Sequence, residues 1–105
     1  MMPATSRLSA AAYRKRPRPR ESVILRAVID LLAVHPRVAL AWRQNSGGLH
    51  RGSRYVPFHT MPGLSDVLGC LKDGRFLAVE CKRHGEKPTR EQSEFLRSVN
   101  AAGGV

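Results

Sequence analysis

At 105 residues the chain holds one domain at most, and its formal net charge of +10 points to a polyanionic partner, most simply nucleic acid. No apolar run approaches the ~20 residues of a membrane span, and Ala10-Ala11-Ala12 is too short for the apolar segment of a signal peptide. Two cysteines without secretory features exclude a disulfide scaffold and fit free thiols in a cytoplasmic, bacterial or phage-encoded setting.

Residues 1–20 read as a flexible basic arm. They carry Arg7, Arg14, Lys15, Arg16, Arg18 and Arg20 without an acid, hence +6 of the total, and their prolines favour extended backbone. Arg14, Lys15, Arg16, Arg18 and Arg20 are candidate phosphate contacts; the plainer alternative is a solvated arm. Residues 21–105 form the domain, with a core too small for a wide margin of stability.

Val23, Ile24, Ala27, Val28, Leu31 and Leu32 predict a helix from Glu21 to about Val34, ended by His35-Pro36. Val38 to Arg43 is apolar enough for a buried strand, with Trp42 in the core. Gln44 to Gly52 reads as a polar loop, and Arg54 to Phe58 as a short edge strand interrupted by Pro57. Asp66–Leu71 and Arg75–Lys82 form a hairpin around Lys72-Asp73-Gly74. Thr89 to about Ala101 is a second helix with Phe95, Leu96 and Val99 inward, stopped by Gly103-Gly104. The order helix, three core strands, helix predicts an α/β sandwich, a small mixed β-sheet flanked by helices.

Candidate chemistry gathers at the open end of the hairpin. Glu80 and Lys82 share one strand face and Cys81 takes the other. Whether Asp66 joins them depends on the turn. A two-residue Asp73-Gly74 turn sets Asp66 opposite Cys81; a three-residue Lys72-Asp73-Gly74 loop sets it opposite Glu80, with Cβ atoms about 5 Å apart. Two carboxylates that close repel unless a cation lies between them. Hard oxygen ligands suit Mg²⁺ or Mn²⁺, which neutralises a phosphodiester and acidifies bound water. Lys82 would position that water or stabilise charge developing on phosphorus. The backbone carbonyl of Cys81 is a further candidate ligand, and Glu21 is either another or simply an acid that complements its helix dipole. The plain alternative for Glu80 and Lys82 is a surface ion pair. It is weakened by Phe76-Leu77-Ala78-Val79, which is apolar on both faces.

The stretches Trp42-Arg43-Gln44-Asn45-Ser46-Gly47-Gly48, Pro62-Gly63-Leu64-Ser65-Asp66-Val67-Leu68-Gly69, Asp73-Gly74-Arg75-Phe76, Val79-Glu80-Cys81-Lys82 and Thr89-Arg90-Glu91-Gln92 occur in this order after Glu21-Ser22. Together they resemble the VRR-NUC branch of the PD-(D/E)XK nuclease superfamily, across 21–105. The resemblance implies a restriction-endonuclease-like core and a metal-dependent DNA endonuclease that acts on branched or junction DNA as a homodimer. Glu21, Asp66 and Glu80 would be the acidic site residues, Lys82 the catalytic lysine and Gln92 a helix residue reaching the site. The chain departs from the family pattern at Ser65, where proline is usual. It also stops at Val105, before a last strand, which leaves an open sheet edge to be paired.

Gln92 has a second reading, because Thr89-Arg90-Glu91-Gln92 is a capping box. Arg43 and Asn45 flank the end of the first strand as candidate phosphate contacts or ordinary loop residues. Lys72, Arg83, Lys87 and Arg90 suit phosphates better than bases. The four histidines lack metal-ligand spacing, and no glycine-rich loop matches a nucleotide-phosphate cradle. Two other readings of the same fold are a nucleic-acid-binding module that does not cut and a subunit whose sheet a partner completes.

Overall fold

A computed structural model describes residues 18–44, 47–57 and 61–105. In chain order the elements are α1 (Glu21–Val34), β1 (Val38–Arg43), β2 (Gly48–Arg51), β3 (Arg54–Pro57), β4 (Val67–Leu71), β5 (Phe76–Val79) and α2 (Arg90–Ala101). His35, extended at φ −71° and ψ 128°, ends α1 as a residue before proline must. The inward face of α1 is Ile24, Leu25, Val28, Ile29 and Leu32. Val23, Ala27 and Leu31, counted with the apolar face from their spacing, lie exposed.

Strands β1, β4 and β5 form a three-stranded sheet in that order, all pairs antiparallel, whereas β2 and β3 make a separate hairpin. The sheet is covered on both faces, because neighbouring residues of one strand point opposite ways. Val67 and Cys81 pack with Leu25 under α1, while Leu68 and Ala78 pack with Val99, Phe95 and Leu96 under α2. The sandwich is thus present, and β1, β4 and β5 pair antiparallel, with parallel bonding among the described residues confined to Val105 beside β5.

Two expectations for β1 fail. The strand lies at the sheet edge, and α2 covers its neighbours rather than β1 itself. Leu40 and Trp42 are therefore 53% and 44% exposed, and the tryptophan is no core residue. Its indole N–H donates to Gln44 Oε1 at 3.4 Å.

The β4–β5 turn is the three-residue alternative. Gly74 N–H donates to Leu71 O at 2.9 Å and Leu71 N–H to Arg75 O at 2.8 Å. Gly74 has φ +91°, which a residue with a Cβ adopts only under strain. Asp73 braces the turn, accepting from Arg75 N–H at 3.0 Å and Arg75 Nε at 2.8 Å. The register that follows, Val67 opposite Val79 and Leu68 opposite Ala78, sets Asp66 against Glu80 one step further on.

The outer edge of β5 is not bare. Val105 N–H donates to Phe76 O and Ala78 N–H to Val105 O, both at 2.9 Å, the alternation of a parallel rung centred on Leu77. The chain therefore returns through α2 to lie alongside β5.

Candidate active site

Backbone hydrogen bonds decide which side chains meet. Leu71 and Arg75 form a bonded pair, so alternate pairs up the hairpin are bonded and Asp66–Glu80 is not. Non-bonded pairs bring side chains closest, at Cα separations of about 4.5 Å. The Asp66 carbonyl instead faces β1 and accepts from Gln44 N–H at 2.7 Å. Just upstream, Gly63 at φ +78° lies against the first turn of α2, where an added Cβ would run into the Glu91 carbonyl. That close approach ties the loop carrying Asp66 to the helix carrying Gln92.

Asp66 and Glu80 come within hydrogen-bonding reach of each other. Asp66 Oδ2 accepts from the Cys81 backbone N–H at 2.9 Å. Glu80, with a side chain only 4% exposed, accepts from Gln92 Nε2 at 3.1 Å through Oε1, and Lys82 Nζ stands 3.7 Å from the same oxygen. Its other oxygen, Oε2, is buried with no donor among the described residues to satisfy it. The adjoining Asp66 carboxylate is itself an acceptor, so two ionised carboxylates leave a gap that only a proton or a cation fills.

Burial, followed by the neighbouring Asp66, raises Glu80 from an ordinary 4.5 to about 8, against the opposing pull of Lys82. The Cys81 thiol, packed with Leu25 and Val67, is pushed up to about 11 by burial and is no nucleophile. It is the Cys81 backbone, not the thiol, that faces Asp66. Ser65 is fully buried, and its hydroxyl has no hydrogen-bond partner among the described residues.

Gln92 fills both of its expected roles at once. Its Oε1 accepts from Thr89 N–H at 2.8 Å, closing the capping box, while its Nε2 holds Glu80. The helix cap and the site share one amide.

Other candidates fall elsewhere. Glu21 begins α1 as an exposed residue and reaches Glu80 only as a like charge through space. Among the described residues no group of three or more His, Cys, Asp or Glu side chains stands ready to hold a metal. Arg43 pairs with Val67 and therefore takes the α1 face, away from the carboxylates, where it lines a cleft with Ser22, Arg26 and Asp30. Lys72 sits at the hairpin turn, six residues and roughly 20 Å of strand from Asp66. Lys87 and Arg90 are exposed, and Arg90 pairs with Glu94 at 3.0 Å.

Arg18 and Arg83 have structural partners. Arg18 donates to His84 O at 2.7 Å and Arg83 to Pro19 O at 3.2 Å, so residues 18–19 lean on the loop after β5 rather than belonging to a free arm. The Arg20 carbonyl accepts the first amides of α1. Asn45, Arg14, Lys15 and Arg16 lie outside the described residues.

The short strand expected from Arg54 is present as β3, but Gln44 to Gly52, expected as a loop, contains β2, and the two strands form a hairpin. Its signal is Gly52-Ser53 between Leu49-His50-Arg51 and Arg54-Tyr55-Val56, a two-residue turn opened by glycine at φ +63°.

Comparison of the chain with family models, curated proteins and solved structures gives no match. The likeness to VRR-NUC nucleases rests on the motifs alone. No helix among the described residues is long and apolar enough to cross a membrane.

Proposed function

We propose that the protein is a divalent-cation-dependent DNA endonuclease that hydrolyses phosphodiester bonds in branched or junction DNA, working as a homodimer. The observation that carries this reading is the buried, donor-less Oε2 of Glu80 set against the Asp66 carboxylate. A structural ion pair needs no second acid there, whereas a hard cation needs such an oxygen pair. Asp66 and Glu80 would hold Mg²⁺ or Mn²⁺, with the Cys81 carbonyl as a further oxygen. The cation supplies charge neutralisation at the phosphate and a more acidic bound water.

The chain's own side chains do the rest. Lys82, half-shielded at 22% exposure, keeps its ammonium beside Glu80, where it can stabilise negative charge developing on the phosphate. Gln92 fixes the rotamer of Glu80 from α2. The uncovered apolar side chains of β1, Leu40 and Trp42, support self-association. The test is cleavage of labelled branched and linear DNA with Mg²⁺, Mn²⁺ or chelator. Cation-dependent products are expected from the wild type and none from Asp66→Ala or Lys82→Ala; equal cleavage by all three refutes the site.

The exposed edge strand β1 favours one other reading, a subunit whose sheet is extended there by a partner strand. A monodisperse homodimer in solution that cuts unaided would dismiss it.

A further inference from the structure

The β2–β3 hairpin has a charge arrangement that makes little sense in isolation. Its register places Arg51 directly opposite Arg54, next to the Leu49–Val56 pair on the same face. Like charges facing each other across a hairpin destabilise it. Neither arginine has an ion-pair partner among the described residues, and no acid occurs anywhere from Gln44 to Ser65. The opposite face is occupied by His50 and Tyr55, whose rings pack on each other at 5.3 Å and 57°. Those rings stiffen the hairpin and leave the arginine face as the one with unmet electrostatic demand.

Topology roots this hairpin at the site end of the sheet. The chain leaves at Gln44 and returns at Asp66, and these two residues share a hydrogen bond. Gly48 therefore lies at most ~14 Å from Gln44, and Arg51 about 10 Å beyond it along the strand. That reach is within one turn of duplex DNA, ~34 Å.

We infer that the β2–β3 hairpin is a DNA-backbone clamp, in which Arg51 and Arg54 together hold phosphates of the duplex arm next to the carboxylate site. Two guanidiniums on one face suit phosphate oxygens, and the contact positions the duplex without reading its sequence. With the nuclease reading it shares only the choice of DNA as partner.

The experiment is fluorescence anisotropy of a labelled duplex with the full-length protein in chelator, over a series of salt concentrations, so that no hydrolysis is needed. Arg51→Ala/Arg54→Ala should lower the slope of log K against log salt by about 1.8, since each phosphate contact contributes ~0.9. Binding at low salt should weaken by tenfold or more, with an unchanged melting temperature. Arg51→Lys/Arg54→Lys should keep most of the slope. An unchanged slope in the alanine variant, or a wild type that does not bind DNA, overturns the inference. A wild type that binds through these arginines yet never cuts removes the nuclease and leaves the clamp standing.

Discussion

The chain builds two antiparallel hairpins, one on a three-residue turn and one on a two-residue turn, and puts opposite chemistry on them. Both place like charges face to face: Asp66 against Glu80 beyond β4–β5, and Arg51 against Arg54 on β2–β3. The first lies between two helices, where burial lifts Glu80 to about 8 and leaves one oxygen without a donor. The second stands in solvent, where water screens the two guanidiniums. Burial, not strand geometry, separates a pair that must share a proton or a cation from a pair that water screens.

The sharpest way to break that contrast is a double dissociation. Asp66→Ala or Lys82→Ala should cut cation-dependent cleavage by roughly a thousandfold and leave DNA affinity nearly intact. The Arg51/Arg54 alanine pair should weaken affinity while saturating protein still cleaves. Parallel losses in both sets of variants, read by single-turnover gels and anisotropy, would mean that the two hairpins are not separate in function.

Titration in metal-free protein gives the next largest effect. Glu80 is raised above a free glutamate, so the folded state keeps a proton that the unfolded chain has released. That contribution is complete below about 4.5 and is lost as pH rises through about 8. The melting temperature should therefore fall across this window, and Glu80→Gln should flatten the fall. A wild-type profile that matches the glutamine variant throughout would show that Glu80 titrates normally.

Smaller effects come from the turns. Gly74 and Gly52 both have positive φ, with open space where a Cβ would stand. Gly74→Ala should cost about 1 kcal/mol of global stability in urea melts, because its turn sets the register of the core sheet. Gly52→Ala, on a hairpin outside that sheet, should leave the melt unmoved. Smallest is the arm: deleting residues 1–17 should flatten the salt dependence of DNA binding modestly, and an unchanged slope would show that its basic residues touch no phosphate.

Several features could be read directly. The bounds of α1 follow from its apolar spacing and Pro36, and the capping box at Thr89 and Gln92 marks the start of α2. Asp66, Glu80 and Lys82 stood out as carboxylates and an ammonium flanking an apolar strand. Gly52-Ser53 is equally local, but the strands it joins are short and carry no clear apolar alternation.

Local order along the chain thus determined the helices, the turn residues and the presence of an acidic and basic cluster, because spacing, proline and glycine act over a few neighbouring residues. Tertiary packing alone decided the rest. It set the hairpin register that joins Asp66 to Glu80, the exposure of β1, the placement of Arg43 on the α1 face, and the double use of Gln92. Each depends on which layer covers which face, and burial is a property of the assembled layers rather than of any one segment.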